Sequence, residues 1–310
     1  MFVAEYIWLD SNNDFRSKTR VTESITPWNC DGSSTGQATT QKSEIILRPV
    51  FQCPNPMKYV DSFVCVLVLC DIWENDHTPH ESNSRVEAIF TMEHYKDMEP
   101  LFGLEQEFFI KLPKVSETNN NQYCKGNHNK GRRCMEEIFD KCLRAGLKVT
   151  GMNAEVAPYQ WEIQICDYGI KAADQLLMVR YILQTTLPQH DYNLILHPKP
   201  FKQCNGSGCH INFSTNFIRD GKYDLVQIMN KFKNTHQEHL ELYGEKNELR
   251  LNGTHETCSL HEFKWGKGDR TASIRCNIGY FEDRRPASNV DPYLATAKIL
   301  KTLMTTASSC

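Results

Sequence analysis

The sequence predicts an α+β protein: a short all-strand unit followed by a larger domain whose sheet holds acidic side chains on its concave face and packs helices on the other. Three observations carry this reading. The first 73 residues alternate short strands with turns and show no long helical period. Beyond them, helix-like periods alternate with strand-like runs. The acidic and histidine motifs fall on those runs or at their ends.

Taken in order, Glu5-Tyr6-Ile7-Trp8-Leu9-Asp10 reads as a strand, residues 11–14 as a polar turn, and Ser43-Glu44-Ile45-Ile46-Leu47-Arg48 as a further strand. The apolar run 63–70 suits a buried strand and is far short of the roughly 20 residues of a membrane-spanning helix. Polar residues 74–83 read as a linker, so domains are predicted at 1–73 and 85–310 with a connection over 74–84. Residues 85–98 place Val86, Ile89, Phe90 and Tyr95 at helical spacing, and Pro100 marks the end. An aperiodic polar loop at 118–133 precedes an amphipathic helix at 134–145 that stops at Gly146. Further helices are predicted over 172–187 and 223–242.

Composition narrows the function classes. With 310 residues, 40% hydrophobic and 24% charged, the chain can bury a full core. A net charge of −3 and no basic block argue against a dedicated nucleic-acid binder, and no stretch argues for a membrane. The amino terminus carries no basic n-region, so no signal peptide is predicted. Thirteen cysteines, several inside apolar runs and none in Cys-x-x-Cys pairs, read as reduced thiols of a cytoplasmic protein.

The chemistry starts at Glu105-Gln106-Glu107. On a strand the two glutamates share one face while Gln106 and Phe108 take the other. Like charges held that close among Phe and Ile residues call for a cation between them, and a divalent metal is the simplest. Glu155 and Glu162 are seven apart, which would oppose them on one regular strand. Pro158 between them breaks the strand and re-aims the chain, so both can face one pocket. Gly206 and Gly208 are expected to let a ligand approach the backbone, with His210 and Asn212 on a common face after them. Glu282 and Arg284 form another i, i+2 pair, for which a weak surface salt bridge is the plain explanation. Arg250, Arg270, Arg275, Arg284 and Arg285, however, lie within thirty-six residues. Carboxylates for metal beside several guanidinium groups suit a metal-bound nucleoside triphosphate, held without any Gly-x-x-x-x-Gly-Lys-Ser/Thr loop.

Six stretches, in order, resemble the eukaryotic type of glutamine synthetase over nearly the whole chain. They are Trp28-Asn29-x-Asp31-Gly32-Ser33-Ser34-Thr35, Phe102-Gly103-x-Glu105-Gln106-Glu107, Asn153-Ala154-Glu155-Val156-x-Pro158-x-Gln160-Trp161-Glu162, Asn205-Gly206-x-Gly208-x-His210-x-Asn212-Phe213-Ser214, Arg270-x-Ala272-Ser273-Ile274-Arg275 and Tyr280-Phe281-Glu282-Asp283-Arg284-Arg285-Pro286. The resemblance implies a β-grasp-like amino-terminal domain, a catalytic domain with a curved antiparallel sheet backed by helices, and ATP-dependent ligation of ammonia to L-glutamate through a γ-glutamyl phosphate.

Residue by residue, it implies Glu107, Glu155 and Glu162 at one Mg²⁺ or Mn²⁺ and Glu105, His210 and Glu282 at a second. Arg270, Arg275 and Arg284 would hold phosphate, with Arg270 and Arg284 counted as catalytic. Glu162, Asn212, Ser214 and Tyr280 would lie at the nucleotide. Asn205, Gly206, His210, Arg250 and Arg284 would lie at the glutamate. Asp31 would bind ammonium from a neighbouring subunit, Glu256 would close a flap, and ten chains would form two stacked pentamers. Departures from the family pattern are a missing amino-terminal helical extension, Leu101 and Cys204 in place of tryptophans, and a short link from Arg275 to Gly279. The alternatives are a ligase for another amine and a catalytically silent relative that keeps the ring. Asp31 and Glu256 favour ammonia, and retention of all six metal positions favours catalysis.

Overall fold

A computed structural model of the chain describes residues 1–114, 116, 121–126, 130–203, 205–253 and 258–305. The first part forms a five-stranded sheet from β1 (Phe2–Leu9), β2 (Phe15–Thr22), β3 (Trp28–Asp31), β4 (Glu44–Pro54) and β5 (Val64–Trp73), in the order β2-β1-β5-β4-β3. The β1 and β5 strands are parallel and the other pairs antiparallel. Both faces of β5 are covered, which explains its unbroken apolar run. Val66, Val68 and Cys70 pack with Tyr6, Trp8 and Ile45 on one side, while Leu67 and Leu69 join the main core on the other.

Residues 74–83 fold back on this sheet: His80 is buried, with Nε2 2.8 Å from the Gln37 carbonyl and Nδ1 2.8 Å from Ser82 Oγ. Then come α1 (Ser84–His94), β6 (Leu101–Phe109), α2 (Arg132–Arg144), β7 (Val149–Ala154), β8 (Gln160–Tyr168), α3 (Ile170–Thr186) and β9 (Cys209–Ser214). They are followed by α4 (Asn216–Arg219), α5 (Leu225–Asn234), α6 (His236–Leu242), β10 (Trp265–Lys267), β11 (Ile274–Asn277), β12 (Tyr280–Asp283) and α7 (Pro292–Met304).

Seven strands form the second sheet, ordered β10-β11-β12-β9-β6-β8-β7, antiparallel except between β10 and β11. The α3 helix packs on β6 and β8 and is buried almost all round. Its Asp174 pairs with Arg85 of α1 at 2.8 Å and accepts from Tyr293 of α7 at 2.6 Å, tying three helices together. The architecture is thus α+β with a curved sheet backed by helices, as the sequence predicts.

Several helix boundaries differ from expectation. The first helix stops at His94, and residues 96–98 form a 3₁₀ turn before Glu99, at φ 47°, leads into Pro100. The helix predicted over 223–242 is two. Asp224 caps the first by accepting from Gln227 N at 3.1 Å, and Thr235 leaves helical geometry at φ −104° with its hydroxyl donating to the Lys231 carbonyl at 2.9 Å. The restart lets His239 reach inward to Tyr243 Oη at 2.6 Å and Thr302 Oγ1 at 2.9 Å. The α2 helix begins two residues before the predicted start, after Gly131 at φ 89°, where any side chain would run into Ile110.

Candidate active site

Strand β6 supplies the centre. Its register pairs Glu107 with Glu162 on β8 and Glu105 with both Gln164 on β8 and His210 on β9. Farther along the sheet, Asn212 of β9 lies opposite Glu282 of β12, and Glu282 opposite Arg275 of β11. Gly103 on β6 leaves room for Asn212, whose Cβ would stand 3.3 Å from an added methyl. Glu155 arrives differently from the expected re-aimed strand. The chain makes a hairpin between β7 and β8, with Tyr159 at φ 62° and Glu155 N donating to the Gln160 carbonyl at 2.9 Å. Glu155 and Glu162 therefore sit on separate arms of a turn containing Pro158.

These contacts gather Glu107, Glu155 and Glu162 into one group and Glu105, His210 and Glu282 into a second. Within each, potential ligand atoms lie within 4.8 Å of one another. Burial, then repulsion from Glu107, pushes the Glu155 carboxyl up to about 8. Burial, then Glu105 and Glu107, pushes Glu162 up to about 9. Burial, reinforced by the Arg284 charge, lowers His210 to about 4, so its imidazole is neutral and able to donate a lone pair. A crowded carboxylate set that resists ionising and a neutral imidazole fit a hard divalent cation such as Mg²⁺ or Mn²⁺.

Surrounding groups hold the ligand side chains in place. Gly208 N donates to Glu107 Oε2 at 2.6 Å, Asn153 Nδ2 to Glu155 Oε1 at 2.9 Å, and Asn212 Nδ2 to Glu105 Oε1 at 2.7 Å. Arg284 and Arg275 donate to Glu282 at 2.5 and 3.3 Å; Glu282 is buried and both arginines are half-buried at the cleft, so this is a cleft-wall cluster rather than a surface salt bridge. Arg250 is buried, donating to the carbonyls of Arg284 at 2.9 Å and Arg285 at 3.2 Å, with Nη2 3.0 Å from His210 Nε2. It also explains the glycines: a methyl on Gly206 would stand 2.8 Å from Arg250 Cγ and 2.6 Å from the Pro198 carbonyl, and one on Gly208 would run into Nη2. Both glycines make room for Arg250.

The cleft holds about 340 Å³, and Arg250, Arg270, Arg275, Arg284, Asn205 and Gly206 join the two groups in lining it. Arg285 does not. Alternation along the chain sends it inward to Asp283, at 2.6 Å, with neither side chain exposed. A more apolar cavity of about 460 Å³ adjoins the cleft. Leu101, Ile165, Cys166, Phe213 and Ser214 line it, and it shares Asn212, Gln164 and Tyr280 with the cleft.

Asp31 lies outside both, exposed at the end of β3. It caps a 3₁₀ turn (Gly32–Thr35), and hydroxyl bonds from Ser33 at 2.6 Å and Ser34 at 2.8 Å hold its carboxyl below the ordinary range. Glu256 and Cys204 lie outside the described residues. Sequence reasoning missed Gln164 and Gln160. Gln164 Nε2 donates to Glu162 Oε1 at 2.5 Å, and Gln160 Nε2 to the Gly206 carbonyl at 3.0 Å. The two-residue spacing of Gln164 from Glu162 was the available signal for the first.

A family model for the catalytic domain of glutamine synthetase matches residues 81–240. The chain is 41% identical to a putative glutamine synthetase of Acanthamoeba polyphaga mimivirus over 334 aligned residues, covering 97% of this chain and 94% of that one. It is 42% identical to the glutamine synthetase of Kluyveromyces lactis and 40% to that of Saccharomyces cerevisiae. In both comparisons 97% of this chain is covered, with 88% and 89% of the relatives. The fold matches an electron cryomicroscopy structure of Plasmodium falciparum glutamine synthetase with a TM-score of 0.79 at 18% identity, over 97% of this chain and 71% of that one.

Proposed function

The chain belongs to the glutamine synthetase family of ligases, and from that premise we propose that it joins ammonia to L-glutamate with ATP as co-substrate, through a γ-glutamyl phosphate. The observation that carries this reading is the pair of three-ligand groups that share one cleft with four arginines. Glu107, Glu155 and Glu162 would hold one Mg²⁺ or Mn²⁺, and Glu105, His210 and Glu282 the other. Bound metal would supply charge neutralisation for the triphosphate and the transferring phosphoryl group.

The protein's own groups do the rest. Arg270, Arg275 and Arg284 neutralise phosphate oxygens, and the Glu282 contacts of the last two hold them ready. Asn205, Gly206, His210, Arg250 and Arg284 face L-glutamate. Asn212, Ser214, Tyr280 and Glu162 border the nucleotide, whose base fits the apolar cavity beside the cleft. Asp31, kept ionised by its serine hydroxyls, takes the ammonium proton. Its position away from the cleft supports a site shared between neighbouring subunits of a cytoplasmic homodecamer. Glu256 serves as the flap residue that keeps water from the acyl phosphate. Residues 1–73 form the β-grasp-like domain, 74–84 the connection and 85–310 the catalytic domain.

Release of ADP by purified protein with Mg²⁺ should require both L-glutamate and ammonium, with glutamine formed in equal amount. A folded protein that shows no ammonium-dependent product would refute the reading, and a clear preference for methylamine would reassign the acceptor.

A further inference from the structure

A third cavity, of about 550 Å³, lies where the β1–β2 turn, α3, the end of α6 and the start of α7 meet. Arg180 of α3 lines it and is 5% exposed. Three of its five N–H donors go to neutral acceptors: Nε to Gln106 Oε1 at 2.8 Å, Nη1 to the Val290 carbonyl at 2.9 Å and Nη2 to the Ser288 carbonyl at 3.0 Å. The Cys209 thiol lies beside it. Among the described residues it forms no ion pair within 4.0 Å. Asp291 contributes its field, but its Oδ1 accepts the amides of Tyr293 and Leu294 at the start of α7. A buried cation without an ion-pair partner is costly, and a carboxylate entering the cavity would relieve that cost.

Two other features of the lining define the remainder of a ligand. Asp14, Glu241 and Glu245 put exposed carboxylates at the rim, suited to an ammonium group. Leu177, Leu194, Leu196 and Val290 form an apolar floor. We propose that this cavity binds an apolar α-amino acid, with its carboxylate on Arg180, its ammonium at the acidic rim and its side chain on the leucines.

Such a ligand would act on the reaction centre through bonds already in place. Gln106, held by Arg180, stands between Glu105 and Glu107 on β6 and donates to the Glu107 carbonyl at 2.8 Å. Ser288, whose carbonyl accepts from Arg180, donates to the same Glu107 carbonyl at 2.5 Å. Occupancy would bias the strand that carries two of the proposed metal ligands. The binding site stands apart from the proposed reaction, and only its effect on turnover rests on that reading.

L-Leucine is the probe, measured by titration calorimetry on the full protein. One molecule per chain should bind, with 4-methylpentanoate and 3-methylbutylamine each at least about tenfold weaker, because each lacks one charged partner. Saturating L-glutamate should not displace it. A Glu241→Gln, Glu245→Gln variant should bind leucine several-fold more weakly while ADP release without leucine is unchanged. These rim changes are exposed, so the variant tests the site without disturbing Arg180. No binding into the millimolar range, displacement by glutamate, or binding of the amine as tight as that of leucine would each overturn the proposal.

Discussion

Replacing Glu162 by Gln should change stability in opposite directions with and without metal. In the metal-free protein, Glu155 and Glu162 stay protonated up to about 8 and about 9, whereas the unfolded chain releases those protons near the ordinary 4.5. The folded state therefore binds more protons across that window, and stability is fully present below it and lost as pH rises through the raised values. Charges 4.8 Å apart, the outer bound within the group, repel by about 3.5 kcal/mol at an effective dielectric near 20. Glu162→Gln removes two of the three pairwise repulsions around Glu107, Glu155 and Glu162.

After relaxation, we expect the advantage of the variant over wild type in EDTA to grow by about 2–4 kcal/mol between pH 6 and pH 9. Urea melts across pH read this directly. Added Mg²⁺ should stabilise the wild type and do much less for the variant, because one anionic ligand is gone. Parallel pH profiles in EDTA would refute the crowding argument. An equal gain from Mg²⁺ in both proteins would remove Glu162 from the metal set.

Two further outcomes separate support from chemistry. Arg285→Met breaks a fully buried pair with Asp283 and should cost about 3–5 kcal/mol in urea melts; Arg284→Met should cost far less stability yet lower ADP release by about a hundredfold or more. A stable Arg285 variant, or an active Arg284 variant, would reverse that division. Gly208→Ala drives a methyl into the Arg250 guanidinium and to 3.0 Å from His210 Nε2, so it should lose about 1–3 kcal/mol and weaken Mn²⁺ binding in calorimetric titration. Unchanged metal affinity would show that Arg250 does not position His210.

Much of the candidate site was legible in the sequence because strand periodicity is local. Glu105 and Glu107 share a face whatever their neighbours do, and Gln106 must point away from them. The same rule, applied to Arg284 and Arg285, separates the cleft arginine from the buried one. Residues 223–242 were less legible because a helical period continues through Thr235, and only the inward pull of His239 toward Tyr243 and Thr302 reveals the break.

By itself the sequence determined the fold class, the covered strand at 63–70, the two-residue alternation of the glutamates and the ordered stretches that mark the family. Each depends on neighbours along the chain or on residue identity. Tertiary structure alone decided the partners. Antiparallel register set Glu162 across from Glu107 and His210 across from Glu105. A hairpin delivered Glu155, Arg250 accounted for two glycines, and α3 placed Arg180 behind Gln106. Register and packing join residues tens to more than a hundred positions apart, and no local period carries that information.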